Sequence, residues 1–286
     1  MNIYRKFYIE NEKQERFDLN SKQCLFTSPS GLGLAKGITY IKVGNVYATD
    51  NQEESQNVIT GTLIFIEKPY ENYKKFIDFI EKSTGIRLVY IPRFEEKAQK
   101  EYFRDVDFVD ISKGELAESG VLECPISMNC KSLFYISNNQ KFIIETLADE
   151  PRFDSAYWGV IFNDYSNRVI TIDNTGHVEA AIKLEMWGYL INPKVEIWYR
   201  DALYAQLVAN TTIEVNEQLL YSSADDDLYI YRLKADGTKE NLIKYLDLNN
   251  DNFFKLPKGI SVIKITADNG VETKITLEIL IEYKAV

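Results

Sequence analysis

The sequence predicts a mainly β protein in two domains, and three observations carry that prediction. Leu122, Cys124, Ile126, Met128 and Cys130 alternate with Glu123, Pro125, Ser127, Asn129 and Lys131, the period-two pattern of a half-buried strand. Aromatic residues make up 13% of the chain, with 19 Tyr and 15 Phe, a composition that favours strands. The second half is a series of short alternating runs separated by Asn, Asp and Gly turns, as in a β-sandwich or jelly roll.

A chain of 286 residues exceeds the commonest single-domain size, so two domains are expected. Hydrophobic residues at 45% are enough for packed cores. Ile3–Glu10 and Arg16–Leu19 flank a polar turn and predict an N-terminal hairpin. Ser28 to Gly33 is punctuated by Pro and Gly and predicts a loop. It makes a poor phosphate cradle, since no third Gly and no Gly-Lys-Ser follows. Ile38–Val43 and Val58–Ile66 predict strands, and the polar, acidic stretch Ala48–Asn57 between them predicts an exposed loop or the tip of a long hairpin.

One helix is expected, Pro69–Ser83. Pro69 suits its first turn, Tyr73, Phe76, Ile77 and Ile80 form one apolar stripe, and Gly85 follows as a C-terminal stop. Ile86–Ile91 is a strand stopped by Pro92, and Glu95–Glu101 is a charged loop or short helix. The strand-rich tract Tyr102–Tyr135 follows. The polar segment Ser137 to Gln140 sets a domain boundary, giving domains 1–137 and 138–286. In the second domain, strands are expected at Lys141–Leu147, Val169–Ile172, Ala180–Trp187, Val195–Tyr199, Leu228–Leu233 and Thr273–Tyr283. Pro151–Asp154 is expected as a loop.

The formal charge of −10 argues against a general nucleic-acid-binding surface, which needs clustered Lys and Arg. No apolar h-region follows the first residues and no run of 18 apolar residues occurs, so neither a signal peptide nor a membrane span is expected. Three cysteines do not make a disulfide framework. Cys124 and Cys130 are roughly 20 Å apart along an extended strand, beyond disulfide reach, and predict core thiols made in a reducing cytosol.

No constellation of catalytic groups emerges. His177 is the sole histidine, after a turn, with no second His for a metal and no nucleophile elbow around it. Asp247 to Asp251 begins like a calcium loop, but Asn252 and Lys258 stand where that loop requires Gly and Glu. Asp225-Asp226-Asp227 predicts a solvated turn. No metal and no cofactor are expected. Tyr157, Trp158, Trp187, Trp198 and Tyr199 lie on predicted strands, and aromatic faces of that kind either fill cores or stack on sugar rings. A carbohydrate-binding protein recognising a host-surface glycan and a glycosidase therefore stay open beside a structural role.

Three stretches of the first half, Glu67-Lys68-Pro69-Tyr70-Glu71-Asn72-Tyr73-Lys74-Lys75-Phe76, Leu88-Val89-Tyr90-Ile91-Pro92 and Tyr102-Phe103-Arg104-Asp105-Val106, resemble in their order the ring-forming domain of siphophage distal tail proteins. In the second half, Ile172 to Gly176, Trp187 to Pro193 and Phe253 to Gly259 resemble that family's second domain. The resemblance implies a β-sandwich or split barrel with one helix, followed by a galectin-like jelly-roll sandwich. It implies a non-enzymatic structural protein at the virion tail tip, assembled in the host cytoplasm. Typically six copies form a ring that joins the tail tube to the host-adsorption device. The implied partners are further copies of the chain, the tail tube protein, a tail-associated hub or lysin protein and receptor-binding proteins. The resemblance also implies no membrane and no stable nucleic-acid binding, because DNA would only pass through. On that reading the acidic residues Asp50, Glu53 and Glu54 are candidates to line the channel, where like charge keeps phosphate from sticking.

Overall fold

The alternating tract forms the strands its pattern predicts. β-Branched and aromatic residues fit a pleated, half-buried surface, and the chain uses them in long antiparallel sheets. The computed structural model describes residues 5–34, 36–54, 56–92, 100–136, 140–144, 168–269 and 274–286. The chain divides into two compact units, Met1–Ser137 with Tyr283–Val286, and Asn138–Glu282. Residues 137–139 of the expected linker, and Pro151–Asp154 with Tyr157 and Trp158, lie outside the described residues.

The first unit contains β1 (Lys6–Asn11), β2 (Arg16–Asp18), β3 (Leu25–Ser30), β4 (Lys36–Val43), β5 (Val46–Glu54), β6 (Val58–Phe65), α1 (Pro69–Glu81), β7 (Ile86–Ile91), β8 (Tyr102–Ile111), β9 (Leu122–Cys130) and β10 (Phe134–Ile136). Its main sheet runs β2-β1-β7-β8-β9-β6-β3. The two ends of that path approach each other. The Leu19 N–H donates to the Phe7 carbonyl at 3.1 Å, the Phe26 N–H donates to the Leu19 carbonyl at 2.9 Å, and Asn20 bridges Leu25. The sheet thereby curls into a barrel, which removes the free edges an open sheet would expose.

Strand β9 shows how the alternation is used. Leu122, Cys124, Ile126, Met128 and Cys130 are buried, and the residues between them are exposed or half-buried. The interior is aromatic. Phe7 stands edge-on to Phe26 and stacks on Tyr90, with centroids 5.2 and 4.9 Å away. All three cysteines are buried free thiols, and burial pushes each one up from its ordinary value.

The Ser28–Gly33 stretch packs closely instead of looping freely. A Cβ on Gly31 would meet the Val58 carbonyl oxygen at 2.0 Å, and the φ of +83° is one that side-chain-bearing residues rarely adopt. Strand β3 continues to Ser30 through an irregular register against β6. That packing is a structural reason for glycine at position 31.

Helix α1 lacks a side-chain cap at Lys68, and its first turn is held by the Asn72 amide, which donates to the Glu67 carbonyl at 2.6 Å. Phe76 is fully buried and meets rings from three strands or strand ends, Phe17, Phe65 and Phe108. The helix stops at Lys82, where the Ser83 hydroxyl donates to the Phe79 carbonyl at 2.7 Å, three residues before the Gly85 expected to end it. No helix among the described residues is long and apolar enough to cross a membrane.

The second unit contains β11 (Gln140–Ile144), β12 (Arg168–Asn174), β13 (Ala181–Trp187), β14 (Leu190–Ile191), β15 (Lys194–Tyr199), β16 (Ala202–Val208), β17 (Thr212–Ile213), β18 (Gln218–Ala224), β19 (Asp227–Leu233), β20 (Lys239–Asn241), β21 (Gly259–Thr266) and β22 (Ile275–Leu280). One sheet runs β11-β22-β13-β18-β19-β20 and another β12-β21-β15-β16, with β14 and β17 as a separate pair. Each large sheet buries one face. Ile182, Leu184, Met186, Leu277 and Ile279 come from the first sheet, and Ile172, Ile197, Ile263 and Ile265 from the second. Together they form a sandwich core. Tyr221 is buried there and its hydroxyl accepts the Phe254 N–H at 3.2 Å, while burial pushes its phenol up to about 12.

The expected strand Thr273–Tyr283 is shorter than predicted. Strand β22 ends at Leu280, and a final short strand, β23 (Glu282–Tyr283), carries Tyr283 into the first unit. There the Tyr283 ring stands edge-on to Tyr102, 5.5 Å between centroids.

Candidate functional site

Among the described residues, strands β4 and β5 pair only with each other. Val43 pairs with Val46 around a two-residue turn, Gly44-Asn45, and Gly44 supplies the positive φ (+64°) such a turn demands. The register runs Lys42 to Tyr47, Ile41 to Ala48 and Tyr40 to Thr49, then slips, so that Asp50 is an extra residue before Asn51 meets Thr39. Alternation puts Ile41, Val43, Val46 and Ala48 on one face of the hairpin and Tyr40, Lys42, Tyr47 and Thr49 on the other. Both faces are open to solvent, with Val46 64% and Tyr47 70% exposed. The root is tied to the barrel. The Asn57 amide donates to the Gly33 carbonyl at 2.9 Å, the Gln56 amide to the Cys130 carbonyl at 3.1 Å, and the Cys130 N–H to the Asn57 carbonyl at 2.9 Å.

The stretch expected as an exposed loop or hairpin tip, Ala48–Asn57, is therefore mostly strand, and the tip is Gly44-Asn45. Asp50 is exposed at the bulge, and Glu53 and Glu54 follow on the backbone of β5, opposite Gly37 and Lys36. The polar run concealed the strand because neither face of this hairpin is buried, so no apolar alternation marks it.

The groups weighed for chemistry are occupied structurally. The exposed His177 donates its backbone N–H to the Glu282 carbonyl at 2.8 Å. The Asp247 carboxylate accepts the Asn249 N–H and the side-chain amides of Asn249 and Asn250, so the loop resembling a calcium site is an Asp-centred turn. Asp225 pairs with Lys255, and Asp227 with Lys183 at 2.7 Å. Among the described residues no group of three His, Cys, Asp or Glu is placed to hold a metal.

An ion cluster lies at the barrel wall. Buried Glu10 accepts from the Nε of Arg16 at 2.6 Å and forms an ion pair with the Nε of Arg87 at 3.0 Å, joining β2, β1 and β7. Arg16 also forks onto Glu101 at 2.9 and 2.7 Å, and these bonds raise its pKa further. Sequence reasoning missed this cluster, since four charges scattered over 92 residues show no spacing signal.

The second unit presents a groove of about 690 Å³ lined by Trp198, Tyr199, Arg200, Asp201, Ile260 and Val262. The Trp198 indole N–H donates to Glu196 at 3.1 Å, and Lys194 pairs with the same carboxylate. Burial pushes that carboxyl up, but Lys194, the indole and Lys264 outweigh it and hold it below its ordinary value. Trp187 is half-buried beside Lys274, 5.8 Å from its ring, so of the sequence-nominated aromatics Trp198 and Tyr199 come together and Trp187 stands apart.

The first unit is a closed barrel carrying a rooted hairpin with both faces exposed. A family model described as "Distal tail protein, N-terminal domain" matches residues 6–131. A search of curated proteins by sequence found no match. Over nearly its whole length the chain is similar in fold to two phage structures. One is a chain of the phage P2 baseplate in its activated conformation with calcium, at 16% identity and a TM-score of 0.57, covering 99% of this chain and 100% of that one. The other is SPP1 Dit (gp 19.1), described as a paradigm of the hub adsorption apparatus in phages infecting Gram-positive hosts, at 10% identity and a TM-score of 0.61, covering 96% and 98%. Residues 6–131 are thus a distal tail protein N-terminal domain, and the chain over nearly its whole length shares the fold of these two phage proteins.

Proposed function

We propose that this protein forms a closed ring of six copies at the virion tail tip, through its first unit, and that the ring joins the tail tube to the host-adsorption device. The observation that carries this reading is the β4–β5 hairpin. An isolated two-stranded hairpin is marginal in water, and this one exposes Tyr40, Ile41, Val43, Val46 and Tyr47. A neighbouring copy that lays a strand or a barrel wall against it would cover those side chains and use its free edges, and cyclic symmetry leaves no end unpaired. Within the ring, Asp50, Glu53 and Glu54 would face the channel and keep DNA phosphate in passage, over a Debye length of about 8 Å.

On this reading the protein catalyses no reaction and takes no cofactor. The second unit is a galectin-like sandwich that meets the hub or lysin protein and the receptor-binding proteins. Assembly takes place in the host cytoplasm.

Imaging of assembled tail tips tests the ring. Six copies joined through residues before 138 are expected, and copies joined mainly through residues beyond 138 would refute the assignment. Changing Asp50, Glu53 and Glu54 together to Lys is expected to slow DNA ejection, most at low salt. Unchanged ejection kinetics would remove the channel role while leaving the ring intact.

A further inference from the structure

The outer face of the four-stranded sheet β12-β21-β15-β16 carries an apolar row with no structural task in the sandwich core. In register across the sheet lie Thr171, Val262, Trp198 and Leu203, with Ile260 at the next outward position of β21. Trp198 is 37% and Ile260 63% exposed. In the adjoining row the polar Lys264, Glu196 and Gln206 follow Val169 across the same strands. On the other side the groove is closed by the turn Arg200-Asp201. Both residues hold positive φ, +51° and +62°, which side-chain-bearing residues adopt at a steric cost. The Arg200 guanidinium lies over the Tyr199 ring, 4.9 Å from its centroid.

We propose that this groove is a carbohydrate-binding site, with the Trp198 ring as the stacking platform for one pyranose unit. Three features select a sugar over other occupants. The first is shape and size. Strands lie about 4.8 Å apart, so the apolar row from Val262 through Trp198 to Leu203 is about 10 Å wide. With Ile260 it remains a small apolar patch, whereas a stable protein interface covers about 800 Å² on each partner. The second is chemistry. A pyranose has an apolar C–H face and a rim of hydroxyls that need both donors and acceptors. Here an apolar ring is bordered by an acceptor, Glu196, and a donor, Lys264, on one side, and by Asp201 and Arg200 on the other. The third is preorganisation. The indole N–H is already bonded to Glu196 and that carboxylate to Lys194, so the platform is held in one orientation before any ligand arrives. Opposite charges alternate around the groove, which suits a neutral or weakly charged sugar and not a polyanion. The site lies wholly within the second unit and does not rest on the ring reading.

The test uses the full-length protein with ¹⁵N-labelled tryptophan. The Trp198 indole signal is identified by its loss in Trp198→Phe. The methyl pyranosides of glucose, galactose and N-acetylglucosamine are titrated separately, with glycerol as the polyol control. One pyranoside is expected to move the Trp198 signal saturably, with a Kd in the millimolar range, while the Trp187 signal stays in place. Trp198→Ala is expected to weaken that binding at least about tenfold, as loss of an aromatic anchor does. Ile260→Glu, at an exposed position that folding does not need, is expected to weaken it as well. The proposal is overturned if no pyranoside shifts the signal beyond the glycerol control. It is also overturned if binding survives both substitutions, or if the signal shifts with protein concentration alone, which would make a second copy of the chain the occupant.

Discussion

Strands β9 and β5 are each nine residues long, belong to the same unit and lead opposite lives. Strand β9 lies between β8 and β6, every second side chain is buried, and its pattern shows at once in the sequence. Among the described residues strand β5 has one partner, and its described side chains are exposed. The hydrophobic effect writes alternation into a sequence only where one face leaves water within the chain itself. A strand with neither face buried in its own chain can keep β-branched and aromatic residues and distribute them over both faces, as Tyr40, Ile41, Val43, Val46 and Tyr47 are. The two strands thus separate side chains that fold the unit from side chains left exposed on it.

Removing side-chain volume should expose that contrast most strongly. Met128 on β9 is fully buried, and Met128→Ala is expected to cost about 3 kcal/mol of unfolding free energy. Val46→Ala on β5 is expected to stay within about 0.5 kcal/mol. Denaturant titration of the two variants measures both. Equal losses would mean that the hairpin is packed within its own subunit.

Acidic residues sharpen the same contrast at a smaller scale. Glu10 is buried against two arginines, and Glu10→Ala leaves both without their shared partner. The expected loss is about 2 kcal/mol, below the usual figure for a broken buried pair because Arg16 and Arg87 are partly solvated. Asp50 is exposed at the β5 bulge, and Asp50→Ala is expected to be neutral in the isolated protein within about 0.5 kcal/mol. Thermal unfolding of the pair decides it.

Much of this was legible in the residues. Leu122–Cys130 and Ile86–Ile91 are strands to the residue, and the helix start at Pro69 is marked by its own chemistry. The mainly β class and the distal tail resemblance were readable from strand order, turns and composition. Closure of the barrel was not, because it rests on backbone bonds from Leu19 to Phe7 and Phe26, which carry no side-chain signature. Nor was the strand character of Ala48–Glu54. The helix end was misread because Gly85 looked like a stop, whereas the Ser83 hydroxyl ends the hydrogen-bond ladder earlier. The Trp198 groove was visible only as aromatic residue types. Its partners Ile260 and Val262 stand more than 60 positions away and meet it only through the β15–β21 register.

The chain's own end shows what covering a sheet contributes. Tyr283 returns to the first unit and packs on Tyr102. Deleting residues 283–286 is expected to lower the first unit's stability by about 1 kcal/mol, the scale of one aromatic pair with a little apolar area. We propose that the units fold separately. A fragment 1–137 is then expected to melt cooperatively but below a version in which residues 283–286 are rejoined through a flexible linker. Identical melting temperatures would show that the tail contributes nothing, and absence of a transition in both would place the boundary wrongly.

The smallest effect on the isolated subunit is expected where the effect on assembly is largest. Ile41→Ser with Val46→Ser removes two apolar side chains from one face of the hairpin, next to its Gly44-Asn45 tip. Neither side chain is buried, and neither position anchors the root, which is held by Gln56, Asn57 and Cys130. Unfolding free energy should therefore change by no more than about 0.5 kcal/mol. If a neighbouring copy covers that face, each ring interface loses the burial of an Ile and a Val, about 1.5–3 kcal/mol apiece, and the loss recurs at every interface around the ring. Tail tips assembled with the double variant should then lack the ring or release it on dilution, while the purified protein melts as the unsubstituted one does. Intact rings carrying both serines would mean that the hairpin tip stays in solvent after assembly, and that the subunits are joined through the barrel wall instead.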